Sequence, residues 1–116
     1  MGKKDIDLKG WMIKITEALC TTSQSYTNAV VYRNGKIRTL YITGINGSTV
    51  TTVYATDRPP RTIAAHGKVY NGSSYVDCVV RLDTSGNVTV QAATGGAISG
   101  IQIGYLTTNH ITYIVS

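Results

Sequence analysis

A chain of 116 residues and 12.5 kDa has the size of one domain, and at that length it buries enough surface on folding to need neither a disulfide nor a metal. Its 17 Thr, 12 Ile and 11 Val stand against 5 Leu, 8 Ala and a single Glu. This is a strand composition that excludes a helical bundle, because stiff β-branched side chains suit a pleated surface and the straight-chain helix formers are scarce. With 42% hydrophobic residues, 15% charged residues and a net charge of +5, the chain is no disordered polyelectrolyte. It also contains no apolar run of the ~18 residues that a membrane-spanning helix requires.

Residues 1–10 mix charges with only Ile6 and Leu8 apolar and read as a flexible lead or connector, without the apolar run of a cleaved export signal. Residues 11–116 are expected to form a single all-β domain: an antiparallel β-sandwich, jelly-roll-like, of about eight or nine short strands, with a small barrel as the competing architecture. Trp11, Ile13 and Ile15 alternate with the intervening positions as in a first strand, and residues 17–25 lose that period and read as a loop or irregular edge. From Asn28 to Thr43 two β-rich runs flank Asn34-Gly35, whose residue types supply the positive φ angles of a type I′ hairpin turn. A second Asn-Gly, Asn46-Gly47, leads into a strand over 48–54, predicting a three-strand meander. Consecutive prolines in Asp57-Arg58-Pro59-Pro60-Arg61 remove two donors and break the sheet, so a crossover between sheets is expected there.

Residues 63–70 resume as a weaker strand and end at Asn71-Gly72-Ser73-Ser74. Tyr75–Leu82 and Asn87–Ala92 then form a hairpin around Asp83-Thr84-Ser85-Gly86. The glycine-rich stretch 93–100 lacks phosphate-loop spacing and reads as a bend. Residues 101–105 and 110–115 complete the strands. Alternation turns Cys78 inward as a buried reduced thiol and Asp77 outward, and it marks Val31 and Val79 as an apolar outer stripe suited to association.

Chemistry is sparse. Cys20 and Cys78 are far apart and no histidine stands at metal-ligand spacing, so no metal or cofactor is expected. Two of six carboxylates lie in the lead, Asp83 suits a turn, and no serine sits in a nucleophile elbow, so the domain is expected to be non-enzymatic. The basic residues are scattered apart from Arg33, Lys36 and Arg38 around one turn and Arg58 and Arg61 beside the prolines. Nucleic-acid binding, for which Tyr32, Tyr41 and Arg38 would serve as a stacking platform, is therefore the least favoured reading. Eight tyrosines and no Phe are the unusual feature. Tyrosines flank one polar loop, and aromatic faces with amide and hydroxyl groups suit a saccharide, which selects Tyr70, Asn71, Ser73, Ser74 and Tyr75 as ligand-binding candidates, with Arg58 and His66 as second choices.

Four stretches carry a resemblance: Asp57-Arg58-Pro59-Pro60, the hairpin running from Arg81 through Gly86 to Val90, and the closing Ile103-Gly104-Tyr105 and Ile111–Val115. Across residues 48–116 the chain resembles the carboxy-terminal β-sandwich heads of phage tail-fibre, baseplate and receptor-binding proteins from phages and prophages of Gram-positive bacteria. The resemblance implies a homotrimeric virion appendage that binds a cell-wall saccharide or anchors other appendage proteins. A bacterial carbohydrate-binding or surface adhesion module is the alternative.

Overall fold

The computed structural model describes residues 22–115, and the expected lead and first strand at Trp11–Thr16 lie outside them. Eight strands follow in order: β1 (Thr22–Tyr26), β2 (Ala29–Asn34), β3 (Ile37–Ile42), β4 (Thr49–Thr52), β5 (Ile63–Tyr70), β6 (Tyr75–Leu82), β7 (Asn87–Ala92) and β8 (His110–Ile114). They form two four-stranded antiparallel sheets, ordered β1-β2-β3-β8 (sheet A) and β4-β7-β6-β5 (sheet B). Two separate sheets make the domain a sandwich and not a closed barrel. In sheet B three hairpin-linked strands are joined by a long connection to β4, which lies beside β7, the arrangement of a Greek key. The chain changes sheet only between β3 and β4 and between β7 and β8, so it does not alternate between sheets strand by strand as in a strict jelly roll.

The core lies between the sheets. Val31 and Leu40 from sheet A meet Val69, Val80, Leu82, Val88 and Val90 from sheet B, all fully buried. Each such side chain contributes roughly 1.5–3 kcal/mol relative to exposure. Cys78 is buried and free, as alternation indicates. Val31 corrects the expected outer stripe: both phases of Ala29-Val30-Val31-Tyr32 are apolar, and the phase that faces inward is Ala29, Val31 and Arg33. Val79 does lie on the outer phase of β6, yet its neighbours across the sheet leave it only 6% exposed.

Residues 22–25, read as a loop or irregular edge, belong to β1, the edge strand of sheet A, whose pairing to β2 needs little apolar periodicity. Three further expectations are corrected. The meander ends at β3, because residues 43–48 cross to the other sheet and β4 pairs with β7. Asn28 holds this crossing: its carbonyl accepts the Thr43 and Gly44 N–H groups at 2.8 and 3.2 Å, and its side-chain amide donates to the Val50 carbonyl at 3.1 Å. Asn28 has φ 66°, a left-handed conformation that asparagine tolerates, and a Cβ at Gly44 would collide with its amide. The proline segment thus links the two edges of sheet B and not the two sheets. Residues 101–105 alternate like a strand but form a single bridge, Tyr70 to Gln102, followed by a one-turn 3-10 helix over Ile103–Tyr105.

The link between β4 and β5 also carries a fully buried carboxylate, that of Asp57, at the end of a one-turn 3-10 helix over Ala55–Asp57. Arg33 grips it with two bonds of 2.8 Å, Arg38 Nε donates at 2.8 Å, and the Tyr26 hydroxyl donates at 2.5 Å. The Tyr113 hydroxyl donates to the Asp57 backbone carbonyl at 2.7 Å. All four partners are inward residues of sheet A, so the cluster ties that sheet to the connection of sheet B.

Burial alone would raise the Asp57 pKa, but the hydrogen bonds from Arg33, Tyr26 and Arg38 outweigh it and hold the carboxyl below its usual range. Tyr26 is pushed up to about 12, chiefly by burial and by its bond to Asp57. Removing the carboxylate strands two guanidinium groups, so Asp57→Ala should lower the unfolding free energy by about 3–5 kcal/mol in a urea titration. A carboxyl pKa lower in the folded than in the unfolded chain stabilises fully above about pH 4, and that contribution is lost as pH falls through the folded-state value. Wild type should therefore lose more stability than Asp57→Asn between about pH 5 and 2.5, measured by melting temperature.

Candidate functional site

Alternation along β5 and β6 sends Lys68 and Tyr70, and opposite them Tyr75 and Asp77, to the outer face of sheet B. The register pairs Tyr70 with Tyr75 and Lys68 with Asp77. The Tyr70 and Tyr75 ring centroids lie 5.3 Å apart, and a third ring, Tyr105, stands 5.8 Å from Tyr70. Tyr70 is half-buried between its neighbours, whereas Tyr75 and Tyr105 are 54% and 56% exposed. Three rings thus form one cluster, a stepped platform in which Tyr75 and Tyr105, inclined at 53° and 64° to the central Tyr70, are the two exposed to solvent.

Tyr105 reaches the platform because residues 102–108 run along the edge of β5 as a strap. The Gln102 N–H donates to the Tyr70 carbonyl at 2.9 Å, and Thr107 and Lys68 exchange bonds of 2.9 and 2.8 Å. The Thr108 hydroxyl donates to the His66 carbonyl at 2.9 Å. Gly67 makes this approach possible, since a Cβ there would strike the hydroxyls of Thr107 and Thr108.

The loop beside the rings is locally built. Asn71 Oδ1 accepts the backbone N–H groups of Ser73 and Ser74, both at 2.9 Å, and the Asn71 N–H donates to the Ser74 carbonyl at 3.1 Å. Asparagine suits this turn because its side chain mimics a backbone acceptor. Gly100 then lies so close to the Asn71 carbonyl that a Cβ would come within 2.6 Å. Next to the rings Lys68 Nζ and Asp77 Oδ1 pair at 2.8 Å in the open, where the ammonium lowers the Asp77 pKa and the carboxylate raises that of Lys68.

Of the sequence-predicted residues, Tyr70, Asn71, Ser73, Ser74 and Tyr75 come together at this end of the sheet. His66 is on the same face, two rows along β5. Arg58 is not brought to the site: it is exposed in the link that precedes the far end of β5, where its Nε contacts the Val53 carbonyl at 3.4 Å. Tyr105, Gln102 and the Lys68–Asp77 pair escape a reading of the sequence, because the strap that brings the first two is not encoded by any local period.

The carboxylates of the described residues have structural employment. Asp57 is held in the buried cluster, Asp77 is paired with Lys68, and Asp83 closes its turn by accepting the N–H groups of Ser85 and Asn87, both at 2.9 Å. Among the described residues no group of three His, Cys, Asp or Glu side chains stands close enough to hold a metal ion, and no helix is long and apolar enough to cross a membrane. No protein-family model matches the chain, and no curated protein or solved structure is significantly similar to it.

Because the strap docks on Gly67, Gly67→Val should loosen residues 102–108. Amide hydrogen exchange should then speed up at Gln102 and Thr107 while the β2–β3 hairpin keeps its protection.

Proposed function

We propose that this domain is a non-enzymatic saccharide-binding head of a phage virion appendage, a tail-fibre or baseplate component directed at the cell-wall glycan of a Gram-positive host. The observation that carries the reading is the exposed three-tyrosine platform beside a rigid polar loop. A sugar presents an apolar face of C–H groups and a rim of hydroxyls. Tyr75 and Tyr105 offer flat apolar surface to the first, and Gln102 and the Lys68–Asp77 pair offer donors and acceptors to the second. The platform is preformed, so binding orders few groups and loses little to entropy. Assembly as a homotrimer with other appendage proteins belongs to this reading, as the resemblance of residues 48–116 implies. A bacterial carbohydrate-binding module would use the same platform, and tail or lysis genes beside this one would separate the two.

The test is binding of the purified domain to Gram-positive cell walls and to soluble oligosaccharides released from them, followed by NMR chemical shifts. Tyr75→Ala and Tyr105→Ala should each weaken binding at least tenfold, about 1.4 kcal/mol, and leave the melting temperature nearly unchanged. Walls and oligosaccharides that do not bind, or binding that both variants leave intact, would overturn the proposal.

A further inference from the structure

The outer face of sheet A has a chemistry of its own. Among the outward side chains of β1, β2, β3 and β8 none is Lys, Arg, Asp or Glu, although the chain carries a net charge of +5. The outer face of sheet B, by contrast, bears Lys68, Asp77 and Arg81. Register places three pairs side by side across β3 and β8: Ile37 with Ile114, Thr39 with Thr112, and Tyr41 with His110. Ile37 and Ile114 are 46% and 63% exposed, and they are the only aliphatic side chains among the large hydrophobics exposed in the described residues. The remaining exposed large hydrophobics are tyrosines. At the other end Tyr41 stacks on His110 with ring centroids 5.6 Å apart, and Tyr32 meets Tyr41 edge-on at 5.6 Å. The Thr39 and Thr112 hydroxyls are 3.2 Å apart between these ends.

We infer that this face is the surface through which copies of this chain associate with one another. A net-positive protein that meets itself must avoid opposing like charges, and this is the broad face from which formal charge is missing. It offers nothing to attract a charged partner such as a nucleic acid. Its two exposed isoleucines form a contiguous apolar pair that a facing copy would remove from water. A flat sheet face can pack on another at about 10 Å with side chains interleaved. Four strands ~4.8 Å apart and about five residues long at ~3.4 Å each give a flat area of about 300 Å². This is small beside the ~800 Å² that each partner buries in a standard complex, so the association is reversible and depends on concentration. The inference shares with the proposed function only the expectation that copies associate; it stands apart from sugar binding, which occupies the other sheet.

Sedimentation velocity on the purified chain from about 5 to 500 µM tests it. The mean mass should rise from monomer to dimer or trimer with concentration. Ile114→Lys and Thr112→Lys should each move the midpoint at least tenfold higher, with circular dichroism melts confirming that the variants fold, and Arg81→Glu on sheet B should leave it in place. A monomer at every concentration, whether the face stays bare or is covered by residues 1–21 of the same chain, overturns the inference. So does an assembly that both lysine substitutions leave intact.

Discussion

One carboxylate organises one end of the sandwich. Two sheets joined by apolar side chains alone could slide, because dispersion and hydrophobic contact have little directionality. Asp57 supplies direction: its oxygens accept a two-pronged grip from Arg33, a third guanidinium bond from Arg38 and a phenol from Tyr26. The same Tyr26 hydroxyl accepts the Tyr54 N–H at 3.0 Å, and Arg38 reaches the Gly35 and Thr56 carbonyls at 2.6 and 3.2 Å. No buried side-chain polar atom of the described residues lacks a partner. Complete satisfaction matters because a half-satisfied buried network costs more than an apolar core would.

That cluster accounts for the proline segment. After β4 the chain must travel from one edge of sheet B to the other, and a free loop of that length would leave the end of the sandwich open. The 3-10 turn delivers Asp57 inward, and Pro59, which is buried, follows it with a fixed φ. Arg33 and Arg38, two of the three basic residues around the Asn34-Gly35 turn, are thereby drawn inward. The Tyr32–Tyr41 pair lies on the opposite side of its sheet from Arg38, so the stacking platform that their closeness in sequence suggested is not formed.

What was legible in the sequence follows from distance along the chain. The β2–β3 and β6–β7 hairpins rest on turn chemistry within a few residues, and Gly86 has the positive φ, 90°, that its turn requires. The β2–β3 turn is not the expected type I′: Asn34 pairs with Ile37, so Gly35 and Lys36 are its central residues, and of these only Gly35 has a positive φ, 59°. The partition of strands between sheets was illegible, since Thr49 pairs with Thr89, far away in sequence, and no local pattern encodes that choice. The buried ion cluster does have a signal in the sequence. Arg33 shares its phase with Ala29 and Val31, and Arg38 shares its phase with Leu40 and Ile42, and a charge on an apolar phase calls for a buried counter-charge. Within the candidate site, the two tyrosines flanking Asn71-Gly72-Ser73-Ser74 were legible because a hairpin pairs its own ends. Tyr105 was not, because a strap is placed by the edge it covers.

The strap and the bare face are two answers to one problem. Sheet edges and sheet faces are sticky, and a sandwich has both. On sheet B the β5 edge is capped by residues 102–108, whose hydrogen bonds consume the outward groups of Tyr70, Lys68 and His66, and the outer face carries Lys68, Asp77 and Arg81. The opposite edge, β4, is only four residues long and interrupted by a register shift between Thr49 and Thr51, which limits pairing along it. Sheet A has received no such treatment on its outer face, where an uncharged field ends in paired isoleucines. Capping one edge while leaving the opposite outer face uncharged gives the domain a polarity: the exposed tyrosine rings and the uncharged field lie on opposite sheets, so nothing that covers one needs to touch the other.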